Sequence, residues 1–98
     1  MTATLPTQEQ VDRIALDLAP DVVRIRLNIA RDWSGDPAIY FRVILSDEAS
    51  RRDRLAGTTE RVREKLSEDL RLDELDHLPY FKFRSLSEQA NLKEKAWD

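Results

Sequence analysis

Hydrophobic positions along this chain follow two rhythms, and the switches between them mark out helices and strands. Val11, Ile14, Ala15 and Leu18 recur at the spacing of one helical face, just after Thr7-x-x-Gln10, which has the form of a capping box. The pattern predicts a first helix from about Gln8 to Ala19. Pro20 ends it, because the residue before a proline is pushed out of the helical region. Glu9, Asp12, Arg13 and Asp17 occupy the opposite face, so this helix has one wet side and needs a sheet to cover.

The period then drops to two. Val23, Ile25, Leu27 and Ile29 alternate with Arg24, Arg26 and Asn28, which predicts a half-buried strand over Val22 to Arg31. Asp32-Trp33-Ser34-Gly35-Asp36-Pro37 concentrates turn formers and reads as a hairpin loop, with Trp33 tucked over the end of the sheet. Ala38 to Leu45 is the most apolar run and belongs in the centre: Ile39, Phe41, Val43 and Leu45 share one face, Tyr40, Arg42 and Ile44 the other.

From Ser46 the helical rhythm returns. Ser46, Asp47 and Ser50 offer N-caps, and Leu55, Val62, Leu66 and Leu70 form an apolar stripe that carries a second helix to about Leu70. Its start is open, because Gly57 costs about 1 kcal/mol against alanine within a helix. After an acidic link, Tyr80 to Ser85 alternates Phe81 and Phe83 with Tyr80, Lys82 and Arg84, a third strand. Leu86 to Asp98 is a polar tail or a short docking helix, with Trp97 as its candidate anchor.

An α-β-β-α-β order predicts an α+β two-layer sandwich. A hairpin pairs the first two strands antiparallel, and a right-handed helical crossover lays the third parallel to the second, giving sheet order 1-2-3 with both helices on one face. Strand parity then collects Arg24, Arg26, Tyr40, Arg42, Ile44, Tyr80, Lys82 and Arg84 on the other, uncovered face.

Composition sharpens that asymmetry. The 98 residues suit a single domain, with 41% hydrophobic and 36% charged residues and a net charge of −3. Five cations on one sheet face leave about −8 on the rest of the molecule. Net acidity argues against the overall basic footprint of a DNA-binding domain. The absence of cysteine excludes disulfides and thiolate chemistry and fits the cytoplasm. Neither an export signal nor a membrane span is expected.

Candidate chemistry is sparse. His77 is the only histidine, and its neighbours Asp73, Glu74 and Asp76 look like a solvated linker, so no metal, cofactor or catalytic residue is expected. The face formed by Arg24, Arg26, Tyr40, Arg42, Tyr80, Lys82 and Arg84 is the candidate binding surface. It suits phosphates and stacked bases of RNA, or it is solvated, or covered by a second copy. No GXXG loop or aromatic RNP motif accompanies it. Trp33 and Trp97 are candidate contacts for a protein partner.

Trp33 through Ser50 (WSGDPAIYFRVILSDEAS) together with Tyr80 through Ala90 (YFKFRSLSEQA) resembles small bacterial proteins associated with genes for HEPN-domain proteins. That resemblance supplies no catalytic motif and implies an accessory or antitoxin-like partner role. The element order also looks like the cytoplasmic domain of cation diffusion facilitators, a dimerising fold whose metal-binding histidines have no counterpart here. Together these observations make a non-enzymatic interaction module, homodimeric or bound to another protein, the leading expectation. An RNA-binding module using the basic, tyrosine-bearing face is the alternative.

Overall fold

A computed structural model describes residues 4–98 of the chain. The elements are α1 (Gln8–Asp17), β1 (Val22–Arg31), β2 (Pro37–Leu45), α2 (Leu55–Asp69), β3 (Leu78–Ser85) and α3 (Leu86–Leu92), with short 3-10 turns at Leu72–Glu74 and Lys95–Trp97. The sheet has the order β1-β2-β3, β1 antiparallel and β3 parallel to β2. The architecture is the α+β arrangement expected from the hydrophobic pattern.

α1 forms where the capping box is satisfied in both directions: the Thr7 hydroxyl accepts from the Gln10 N–H, and the Gln10 side chain accepts from the Thr7 N–H. Val11, Ile14 and Ala15 then face inward, and with Leu18 they meet Ile25, Phe41, Val43 and Leu45 of the sheet and Val62 and Leu66 of α2. Phe41 stacks on Phe81 across the β2/β3 boundary at 5.3 Å, and Phe81 and Phe83 complete the core beneath α2. α2 begins only at Leu55, after a run of turns from Asp47, so Gly57 sits in its first turn, where its weak helix propensity costs least.

Burial along β1 departs from the expected pattern in two places. An irregularity between Val22 and Arg24 inserts one residue against Leu45 and Ile44, as a β-bulge does. Val22 therefore enters the core, and Val23, expected inside, is 43% exposed. Ile29 keeps its parity and is still 41% exposed. A helix of ten residues spans about 15 Å and a strand of ten about 33 Å, so α1 covers only the first part of β1.

The C-terminal residues dock. α3 carries its own reciprocal capping box, Ser85 with Glu88, and Asp47 accepts from both the N–H and the hydroxyl of Ser87. The 3-10 turn that follows brings Trp97 back onto the sheet, where it is buried. No helix among the described residues is long and apolar enough to cross a membrane.

Candidate functional site

Three rows of residues run across the outer face of the sheet, each set by the strand register. They are Arg24 opposite Ile44 opposite Arg84, Arg26 opposite Arg42 opposite Lys82, and Asn28 opposite Tyr40 opposite Tyr80. The sequence anticipated this face as uncovered, and the first row overturns that expectation. Arg24 Nε donates to the Trp97 carbonyl at 3.0 Å and the Arg24 guanidinium faces Asp98, while Arg84 lies 4.3 Å over the Trp97 ring and pairs with Glu94 at 2.7 Å. Gln89, buried among them, accepts from Arg84 at 3.0 Å and donates to the Glu94 carbonyl at 2.7 Å. Ile44 disappears under this segment, with no exposed surface.

Arg24 and Arg84 thus belong to an internal dock, and so does Trp97, for which docking of the tail was one expectation and contact with a partner the other. An indole with a cation over its face, its backbone carbonyl taken by a second arginine, is held by its own chain. Gln89 carried no signal in the sequence. Its role depends on a chain reversal at Lys93, which adopts the left-handed conformation with φ 53°.

The second row stays open. Arg26, Arg42 and Lys82 stand directly opposite one another on three neighbouring strands, and among the described residues no carboxylate lies within ion-pair distance of any of them. Like charges directly opposed on adjacent strands repel and cost the fold stability. Partial relief comes from Tyr40, whose ring lies 5.7 Å from the Arg42 guanidinium carbon and 5.5 Å from Lys82 Nζ. Tyr40 and Tyr80 stack on each other at 5.0 Å, so one face of each ring is already covered.

The third row connects to the hairpin tip. Tyr80 donates its hydroxyl to Asp32 at 2.9 Å, and Asp32 also accepts from the Ser34 hydroxyl at 2.7 Å and from the backbone N–H groups of Ser34 and Asp36, each at 3.0 Å. The Ser34 hydroxyl, then Tyr80 and the two backbone groups, outweigh burial and hold the Asp32 carboxyl at about 2. Tyr80 is raised above its ordinary value, because the bond to Asp32, together with its burial, favours the protonated phenol. Gly35 supplies the positive φ, 88°, that closes the turn. On this locked turn Trp33 is 93% exposed, not packed over the sheet as expected, since Asp32 occupies the inward position beside it.

Asp32 is the residue that sequence reasoning passed over as a generic turn former. Asp-x-Ser-Gly-Asp has the spacing of an aspartate that bonds the backbone two residues on, and that spacing was the available signal. No group of three or more histidine or carboxylate side chains able to hold a metal ion occurs among the described residues. Comparisons with protein-family models, with curated proteins and with solved structures find no match for this chain.

Proposed function

We propose that this chain is a non-enzymatic interaction module whose outer sheet face docks on an acidic segment of a protein partner. The observation that carries this reading is the open row Arg26, Arg42, Lys82, three cations in register with no carboxylate partner among the described residues, beside a turn that presents Trp33. A carboxylate-rich segment laid on the row removes the repulsion between its members, and an exposed indole on a preorganised turn adds apolar contact at small entropic cost. The mutual stacking of Tyr40 and Tyr80 supports a protein over RNA, because it leaves fewer ring faces for bases. An antitoxin-like role is one case of this reading, and a cytoplasmic setting goes with it, supported by the absence of cysteine.

Fluorescence anisotropy with a labelled poly-glutamate peptide and with single-stranded oligo-uridine RNA of equal charge separates the classes. The peptide is expected to bind at low salt and to lose affinity by about tenfold or more in an Arg26→Glu, Arg42→Glu double variant. Trp33→Ala weakens a folded acidic partner without changing the circular dichroism. RNA binding tighter than the peptide transfers the site to nucleic acid, and peptide binding indifferent to the double reversal removes the sheet face as the site.

A further inference from the structure

The two edges of the sheet are protected unequally. β3 carries Pro79 and Lys82 at its edge, both residues that discourage strand addition. β1 is protected along part of its length by a single side chain. Gln8, in the first turn of α1, donates from Nε2 to the Ile25 carbonyl at 2.7 Å and accepts the Leu27 N–H on Oε1 at 2.8 Å. Its amide thus occupies two outward backbone positions as a neighbouring strand would.

These bonds show which way the backbone of β1 faces. Ile25 and Leu27 point their polar groups outward, so the odd positions face the free edge and the even ones bond to β2. The Asp32 N–H, which donates to the Asp36 carbonyl at 2.8 Å, agrees with that parity. Beyond Gln8 the outward groups are the Leu27 carbonyl, the Ile29 N–H and carbonyl, and the Arg31 N–H and carbonyl, none of which has a hydrogen-bond partner among the described residues.

We infer that this open stretch is a self-association edge, where β1 of a second copy pairs antiparallel about a two-fold axis through Ile29. From the Leu27 carbonyl to the Arg31 N–H the free groups are self-complementary under that operation. The Ile29 N–H of each copy meets the partner's Ile29 carbonyl, and each Arg31 N–H meets the partner's Leu27 carbonyl, so four backbone hydrogen bonds form. Gln8 sets the register, because it removes the next position on either side from pairing.

Side chains agree with the same register. Ile29, 41% exposed in the single chain, meets the partner's Ile29 on one face of the joined sheet. On the other face Asn28 lies opposite the partner's Ala30. No like charges are opposed, which distinguishes this pairing from the Arg26, Arg42, Lys82 row within one chain. The joined sheet has six strands with β3 as both outer edges, the ones that carry proline and lysine.

This inference stands apart from the acidic-partner reading, since it uses the edge of β1 and leaves the three-cation row accessible. Light scattering after gel filtration, run from micromolar to millimolar protein, is expected to show a concentration-dependent rise from 11.4 kDa to twice that mass. Ile29→Lys, an exposed edge position, is expected to return the mass to 11.4 kDa with unchanged circular dichroism. In the wild-type chain, amide exchange at Ile29 and Arg31 slows with rising concentration. A mass of one chain at millimolar protein overturns the inference. So does a dimer whose Ile29 and Arg31 amides exchange as fast as those of the dilute chain, whatever the variant does.

Discussion

Asp32 shows how much one side chain organises here. Its carboxylate accepts from Ser34, Asp36 and Tyr80, tying the hairpin tip to the third strand, and those donors hold its pKa at about 2, against an ordinary 3.8. A depressed folded value means that the folded state binds fewer protons in that interval. The stability Asp32 contributes is therefore complete above about pH 4 and lost as pH falls toward 2. Asp21, held down by Arg61 and Arg54, and Asp47, held down by Ser87, add to the same acid limb. Asp32→Asn is expected to lower the urea midpoint at pH 7 and to flatten the loss of stability between about pH 4 and pH 2 relative to wild type. An unchanged acid limb in the variant would assign the limb to the other carboxylates. Trp33, one residue away, contributes nothing comparable, because its ring meets solvent.

At the scale of elements, the C-terminal segment is the piece whose contribution is least apparent from its composition. Leu86 to Asp98 contains few apolar residues, yet Trp97 seals Ile44 and gathers Arg24, Arg84 and Gln89 around itself. Trp97→Ala is expected to cost about 3 kcal/mol in urea unfolding, through the lost ring and the exposed Ile44. Proteolysis within Leu86–Asp98 should accelerate in that variant while the β1–β2 hairpin stays intact. Periodicity made α1, the hairpin and β3 legible from the residues, and it suggested a docking tail through Trp97. It did not reveal the bulge at Val22, because Val23 continues the alternation with Ile25 and only the pairing of Val22 with Leu45 turns Val22 inward in its place.

For the whole molecule, the decisive property is the separation of charge. α2 and the link after it carry seven of the 19 acids, while the outer face keeps Arg26, Arg42 and Lys82 in one row without a carboxylate partner among the described residues. Replacing Arg26 by Gln should raise stability by about 0.5 kcal/mol at low ionic strength by relieving its repulsion with Arg42. Debye screening should shrink that gain toward zero near 1 M salt. A gain independent of salt would attribute the effect to packing or strand propensity instead of charge. The measurement needs dilute protein, so that strand pairing at Ile29 does not enter.

What the sequence determined by itself was everything governed by local periodicity and connection rules: the two longer helices, the three strands, their order, and a core face distinct from a polar one. These follow from spacing along the chain and from the handedness of crossovers, both of which are present before folding. Only the tertiary structure decided which of the five cations on the polar face stay free. Arg24 and Arg84 were indistinguishable from Arg26 and Arg42 by residue type and parity. They differ because a segment distant in the chain folds back over one row and stops short of the next. Trp33 and Trp97 separated for the same reason, one left in solvent by a turn that turns Asp32 inward, the other drawn under Arg84. Pairing between residues remote in sequence depends on where the chain reverses, and at Gly35 and Lys93 that reversal is a matter of backbone conformation that periodicity does not encode.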